Sequence, residues 1–542
     1  MKRTCLATIA IVLATVCSVF SDDSAKLPNV VYIMADDLGI GDVKCYGGDL
    51  CQIETPNIDR LAADGMRFTD AHAIASVCVP TRVAVMTGRY PWRFARPPRP
   101  DGLWGYLKPR IPTNHLTLGS MLQAAGYTTG YVGKWHLGTE MQTLDGKVQG
   151  PTNVDFTKPL KVGPRQYGFD FSFILPGSLD MYPYTFVNDN AFVGSVTAQK
   201  GWSAFNRVGP AAEDFEDTKV LDAFSTQAEG FIQRCAEATN NRKPFFLYFA
   251  LTSPHTPTSP SPQFEGKSKL GLYGDFVMET DHCVGRIMAS LEMHNLSDNT
   301  LVIFTSDHGP ASYAGNIRKA TPSQLIELEK KGHHANGIYR GYKFSVYEGG
   351  LRVPYVVRWP VHVKAGSQCD RLIGLNDLMR TLADVTRYDV KDHETPDSIS
   401  FRSLLSDPAA KPSRESMIMQ STETHVVRRG KWKLCLCPGS GALGIFGNLP
   451  KPQEAWQQAV KVFGRKPTQE EILTAPFVQL FDMDSDATES NNVAQDHPEV
   501  VRELVQLFHD QFEAGRSTPG KNLENDVKQR NPHRRIPKFV FE

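Results

Sequence analysis

Four short polar clusters carry residue types that bind cations, hold anions or move protons: Asp36 with Asp37, Lys134 with His136, His255, and Asp307 with His308. Asp36, Asp37 and Asp307 are hard oxygen donors on two loops, the kind of set that holds Ca²⁺ or Mg²⁺ rather than zinc. No Cys-x-x-Cys pair with partner histidines accompanies them, which argues further against zinc. His255 in "SPHTP" lies between prolines that stiffen its loop. A fifth feature is Cys78, followed by Pro80 and Arg82. Pro80 suits the first turn of a helix that continues to Gly88, so residue 78 lies at the positive end of a helix dipole. A thiolate, or an anionic group of a substrate, would be stabilised there. A buried structural cysteine is the other reading of this tripeptide. Arg82, one turn further on, can reach back to position 78 and to the carboxylates.

Each polar cluster follows an apolar run with β-branched and aromatic residues: "NVVYIM", "YTTGYVG", "PFFLYFALT" and "TLVIFTS". Helix-like segments such as "TLGSMLQAAG" alternate with them. The order predicts an α/β fold built on a large, mostly parallel sheet with helices on both faces. Ligands of such sheets bind beyond the carboxyl ends of the strands, so four clusters there predict one shared site.

The 542 residues are 41% hydrophobic and 22% charged, enough for a large core with a smaller second unit. Fifty-nine basic and fifty-nine acidic residues balance, so the global charge points neither to nucleic acid nor to an anionic membrane. Residues 1–21 have the layout of a secretory signal peptide: Lys2 and Arg3, an apolar run, then Ser21 before Asp22 and Asp23. An exported protein, periplasmic or secreted and free of the membrane after cleavage, is expected. An N-terminal anchor is the alternative. Cys45 and Cys51 flank "YGGDL" and could close a small disulfide loop in an oxidising compartment.

Cys78, Pro80 and Arg82 form C-x-P-x-R, with "MTGRYP" following, and this resembles the signature of type I sulfatases of the alkaline phosphatase superfamily. "NVVYIMADDLGIGDVKCYGG", "TPNIDRLAADGMRFTDAHA", "GYVGKWHLG", "SPHTP", "FTSDHG", "RGYKFSVYEGGLRVP" and "QLFDMDSDATESNNVAQDHPEVV" resemble sulfatase segments in the same order. The resemblance implies an alkaline-phosphatase-like fold and hydrolysis of a sulfate ester. It implies that a formylglycine-generating or sulfatase-maturing enzyme oxidises Cys78 to formylglycine (3-oxoalanine), an aldehyde that hydrates to a geminal diol. It implies Ca²⁺, with Mg²⁺ as the other candidate, held by Asp36, Asp37, Asp307, His308 and the modified residue 78. It also implies sulfate binding by Lys134, Lys343 and His255. His255 would be the general acid, Arg82 would steady residue 78, His136 would hydrogen-bond it, and Asp307 would accept the nucleophile's proton. The implied substrate is a sulfated carbohydrate, from a glycosaminoglycan or an algal polysaccharide, or an aryl sulfate. A phosphomonoester or phosphonate hydrolase and a catalytically silent binder of sulfated glycans are the alternatives.

"RYPWRFARPPRPDGLWGYLKPR" (residues 89–110) reads either as the lining of a sugar cleft or as a Pro-stiffened loop. "PGSLDMYPYTFV" (residues 176–187) resembles a segment of bacterial glycan sulfatases. The expected division is a catalytic domain over 22–415, a C-terminal α+β subdomain over 416–515 with a small sheet and the helix "PEVVRELVQLFHDQF", and a flexible tail over 516–542.

Overall fold

The computed structural model describes residues 27–94, 104–201, 207–238, 243–315, 324–421, 424–437, 439–441 and 478–526. A mixed, mostly parallel sheet of ten strands forms its centre. Its axis is the strand Asn29–Asp36, parallel to Phe245–Pro254 on one side and to Thr300–Ser306 on the other. Thr128–Lys134 continues the parallel run beyond Phe245–Pro254. All of Asn29–Asp36 is buried, and its alternate side chains feed two cores. Val30, Tyr32 and Met34 meet the helices Cys78–Thr87, Leu118–Ala124 and Leu378–Thr386. Val31, Ile33 and Ala35 meet Pro56–Ala63, Val220–Glu237 and Gly271–Met293. A strand covered on both faces has no polar side, which is why these runs read as continuous apolar stretches. Beyond Thr300–Ser306 the sheet turns antiparallel at Tyr355–Arg358, which pairs with Met66–Phe68.

A second, antiparallel sheet of four strands holds Ser416–Gln420, His425–Arg429, Trp432–Cys435 and Gln479–Asp482. The helix Pro498–Glu513, opened by its proline, packs Val501, Leu504 and Phe508 against it. This sheet also grips the segment that leads to Cys78: Gln420 N–H donates to Ile74 O (2.9 Å) and Ser76 N–H to Gln420 O (3.0 Å).

Three observations depart from the sequence reading. Tyr90, Trp92 and Arg93 are buried rather than lining a cleft. Trp92 stacks on Phe512 at 5.5 Å and Arg93 forks onto Asp397 at 2.7 and 2.8 Å, so this segment staples the C-terminal helix to the body. Residues 95–103 of that stretch lie outside the described residues. The start of the presumed tail is packed: Arg516 is buried and pairs with Asp392 at 2.8 Å, and Asn525 accepts from Arg93 at 2.9 Å. Cys45 and Cys51 are separate thiols, Cys51 donating to Ile53 O at 3.3 Å from within the core. Residues 1–26, which include the expected leader, and residues 527–542 are outside the described residues. Among the described residues no helix is long and apolar enough to cross a membrane.

Candidate active site

Strand register brings the polar clusters together. Asp36 lies opposite Pro254 and Ala35 opposite Ser306, so Asp36 with Asp37, His255, and Asp307 with His308 leave the sheet at one level. Lys134 ends the next strand over. The backbone turns sharply at this edge: Asp37 and His136 have φ of 62° and 51°, the left-handed region that non-glycine residues seldom occupy. Asp37 N–H donates to Asp307 Oδ1 at 3.1 Å, which holds that turn.

Cys78 enters from the other side, at the first turn of Cys78–Thr87, which Gly88 closes in a left-handed cap. Its Sγ lies 3.2 Å from His308 Nε2 and 3.9 Å from Asp37 Oδ1. Burial pushes the Cys78 thiol up, and the nearby lysines do not bring it back. The helix N-terminus therefore does not produce a thiolate here, because removal from water outweighs the dipole. As a thiol, Cys78 is a poor nucleophile.

Around it lie three carboxylates and three permanent cations, all buried. Arg82 reaches Asp36 Oδ1 at 3.2 Å and Asp307 Oδ2 at 3.0 Å. Lys134 Nζ is 2.6 Å from Asp36 Oδ2, and Lys343 Nζ is 2.9 Å from both oxygens of Asp37. Burial opposes ionisation of Asp36, yet Lys134, His255, Arg82 and Lys343 together hold its carboxyl well below the usual range. Asp37 is lowered in the same way, chiefly by Lys343 against burial. Burial and the charges of Lys134 and Arg82 keep the imidazole of His136 neutral, its pKa well below the usual value. Neither of its ring nitrogens has a hydrogen-bond partner.

The two remaining histidines are oriented by their Nδ1 atoms. His308 Nδ1 donates to Gly309 O at 2.8 Å, and His255 Nδ1 to Thr256 O at 2.5 Å. Each Nε2 is thereby turned into the cluster: that of His308 lies 3.4 Å from Asp37 Oδ1, and that of His255 3.8 Å from Asp37 Oδ2. Burial holds His308 neutral, so its Nε2 presents a lone pair.

The donor set fits a hard divalent cation. One ligand atom each of Asp36, Asp37, Cys78 and His255 lie within 4.8 Å of one another, as do those of Cys78, Asp307 and His308. The carboxylates and the permanent cations already balance, so a bound divalent cation leaves net positive charge, which suits an anionic ligand.

The sulfatase family profile matches residues 28–388, two thirds of the chain. The chain belongs to the sulfatase family. This sulfatase is 33% identical to the N-acetylgalactosamine-6-O-sulfatase of Bacteroides thetaiotaomicron over 90% of its own chain and 93% of the relative. It is 32% identical to the steryl-sulfatase of Rattus norvegicus, with 70% of each chain covered. A solved 6S-sulfatase structure from Bacteroides thetaiotaomicron, reported with the metabolism of multiple glycosaminoglycans, superposes with a TM-score of 0.74 at 32% identity, covering 90% of this chain and 99% of that one. The protein is a sulfuric ester hydrolase.

Two residues at this site escaped the sequence reading. Asp180 Oδ1 is 4.0 Å from His255 Nδ1, and the Tyr313 phenol is close enough to feel the charges of Lys343, Asp37, Cys78 and Asp180. Asp180 follows the strand Phe171–Leu175, neighbour of the Lys134 strand, so the rule that located the other clusters applies to it as well.

Proposed function

We propose that this sulfatase removes a sulfate ester from a sugar of a sulfated glycan, an N-acetylgalactosamine-6-sulfate type of residue being the first candidate. The name of its Bacteroides relative, aligned over nine tenths of the chain, carries the choice of sugar. Cys78, oxidised to formylglycine by a maturing enzyme and hydrated, supplies a hydroxyl nucleophile in place of the buried thiol. Asp36, Asp37, Asp307 and His308 would hold a calcium ion, which would supply polarisation of the sulfate oxygens.

The chain's own residues do the rest. Lys134 and Lys343 neutralise the sulfate oxygens, and because they are buried among fixed charges they need no solvent reorganisation as charge moves. Arg82 ties Asp36 to Asp307 and so holds both carboxylates at the level of residue 78. Asp307 accepts the proton of the attacking hydroxyl. His255, its Nδ1 fixed on Thr256 O, delivers a proton from Nε2 to the departing sugar oxygen. His136, neutral and unpartnered, is free to hydrogen-bond the group at position 78. Export through the N-terminal leader accords with a polymer substrate outside the cell.

The test is a panel of defined sulfated saccharides, with 6-sulfated N-acetylgalactosamine included, beside the phosphate ester of the same sugar. Mass spectrometry of the Cys78 peptide accompanies it. The expected result is turnover of a sulfated sugar by protein carrying formylglycine, and none by folded Cys78→Ala. Full-speed desulfation by protein with an unmodified thiol, or by Cys78→Ala, refutes this reading.

A further inference from the structure

The segment Pro176–Val187 carries a buried acid with an oxygen that no protein donor reaches. Asp180 is 6% exposed, and its Oδ1 is buried without a hydrogen-bond partner. His255 Nδ1 lies 4.0 Å from that oxygen, and its proton goes to Thr256 O. The main chain around Asp180 is secured independently. Arg207 Nη1 donates to Asp180 O at 3.1 Å, and Met181 N–H donates to Ser178 O at 3.0 Å. The side chain is thus presented beside the proposed general acid by a backbone that does not need it. A buried carboxylate oxygen left without a donor is costly, so such a group persists where a ligand completes it.

We infer that Asp180 binds the sugar of the substrate, accepting a hydrogen bond from a ring hydroxyl close to the ester oxygen that His255 protonates. This rests on the reading of the site as a sugar sulfatase. A hydroxyl is the group that fits: it brings the missing donor, whereas a second sulfate or a uronate at that place meets like charge. Asp180 therefore selects sugars with a free hydroxyl there and excludes those sulfated at that carbon. It has no counterpart contact with an aryl sulfate, which lacks the hydroxyl. Tyr313, near Asp180 and Lys343, borders the same space.

The experiment uses the mature, full-length enzyme, the cleaved 6-sulfated sugar, its monodeoxy analogues, and 4-nitrophenyl sulfate as the hydroxyl-free reference. For Asp180→Ala the ratio of kcat/KM on the sugar ester to kcat/KM on the aryl ester falls by about tenfold to a hundredfold, as expected for one hydrogen bond to a charged acceptor. Asp180→Asn keeps an acceptor and falls less. In the wild type one monodeoxy analogue shows the same loss, and Asp180→Ala does not widen it. Equal losses on both esters, or a wild-type deoxy series with no member down by about tenfold, overturn the inference. The deoxy series decides even if the Ala variant does not fold. A mature wild type that cleaves no sugar sulfate overturns the functional reading itself, and this inference with it.

Discussion

Lys433 offers a sharp test of how the small sheet supports the site. It lies on the strand Trp432–Cys435, fully buried, with Nζ 2.7 Å from Glu348 Oε1 and 2.7 Å from Glu489 Oε1. Glu348 has other partners, Arg352 Nε at 2.6 Å and His72 Nε2 at 2.8 Å, but Lys433 is the cation that faces Glu489. Replacing Lys433 with Met leaves a buried carboxylate uncompensated, a change that costs about 3–5 kcal/mol. Burial pushes the Glu489 carboxyl up to about 7 even with Lys433 present, so the folded state holds a proton that the unfolded state has released. Stability contributed at this position is accordingly greatest in acid and declines as pH rises towards about 7. Without the lysine the carboxyl rises further, so the gap between wild type and Lys433→Met widens from about pH 5 to about pH 8. Thermal and urea denaturation at both pH values measure this gap. Adding Glu489→Gln to Lys433→Met removes the stranded charge and recovers most of the loss. Activity suffers with stability, because the segment carrying Lys343 hangs on this cluster. Glu348 N–H donates to Glu489 Oε2 at 2.6 Å, Arg340 Nη1 to Glu489 O at 2.9 Å, and Val346 N–H to Ser440 O at 2.8 Å. A single variant within about 1 kcal/mol of wild type at pH 8, or a gap that is wider in acid, refutes the reasoning.

Two further outcomes follow from buried carboxylates. Asp37→Asn weakens calcium binding by about tenfold or more in calorimetric titration of chelator-treated protein; unchanged affinity removes Asp37 from the ligand set. Glu279 is buried, accepts from Ser261 N–H at 2.8 Å, and is pushed up to about 7 by burial. Its folded state therefore loses stability as pH rises from about 4.5 to about 7, by at most about 3 kcal/mol. Glu279→Gln lacks this slope, so its melting temperature gains on wild type across that interval; parallel curves contradict the assignment.

What the chain discloses before folding, and what it withholds, divides along physical lines. The strands Asn29–Asp36, Phe245–Pro254 and Thr300–Ser306 are legible because both faces are covered, which demands unbroken apolar runs. The polar residues after them are legible because a parallel sheet has one working edge. Met66–Phe68 and Tyr355–Arg358 are too short for any period to declare itself, so the antiparallel flank is not. Tyr90, Trp92 and Arg93 have the composition of a sugar platform. Only the position of the C-terminal helix decides that Trp92 meets Phe512 instead. Asp180 follows a strand one place farther from Asn29–Asp36 than the Lys134 strand, in a segment whose prolines and tyrosines draw the eye to its apolar members.

The protonation of Cys78 is the deepest instance of what sequence withholds. Its place at a helix N-terminus favours a thiolate by about 0.3–1 kcal/mol at an exposed site. That local gain is visible in C-x-P-x-R. The cost of burial is not, because it depends on what packs around the sulfur, and Asp37 and His308 beside it arrive from two other segments. Lys134, Lys343 and Arg82 spend their positive charge on Asp36, Asp37 and Asp307 at contacts of 2.6–3.2 Å, leaving little to stabilise sulfur. A site arranged to keep carboxylates ionised is therefore one in which an unmodified cysteine stays inert. The same arrangement would suit the uncharged hydroxyl proposed at position 78, which needs no neighbouring positive charge to form.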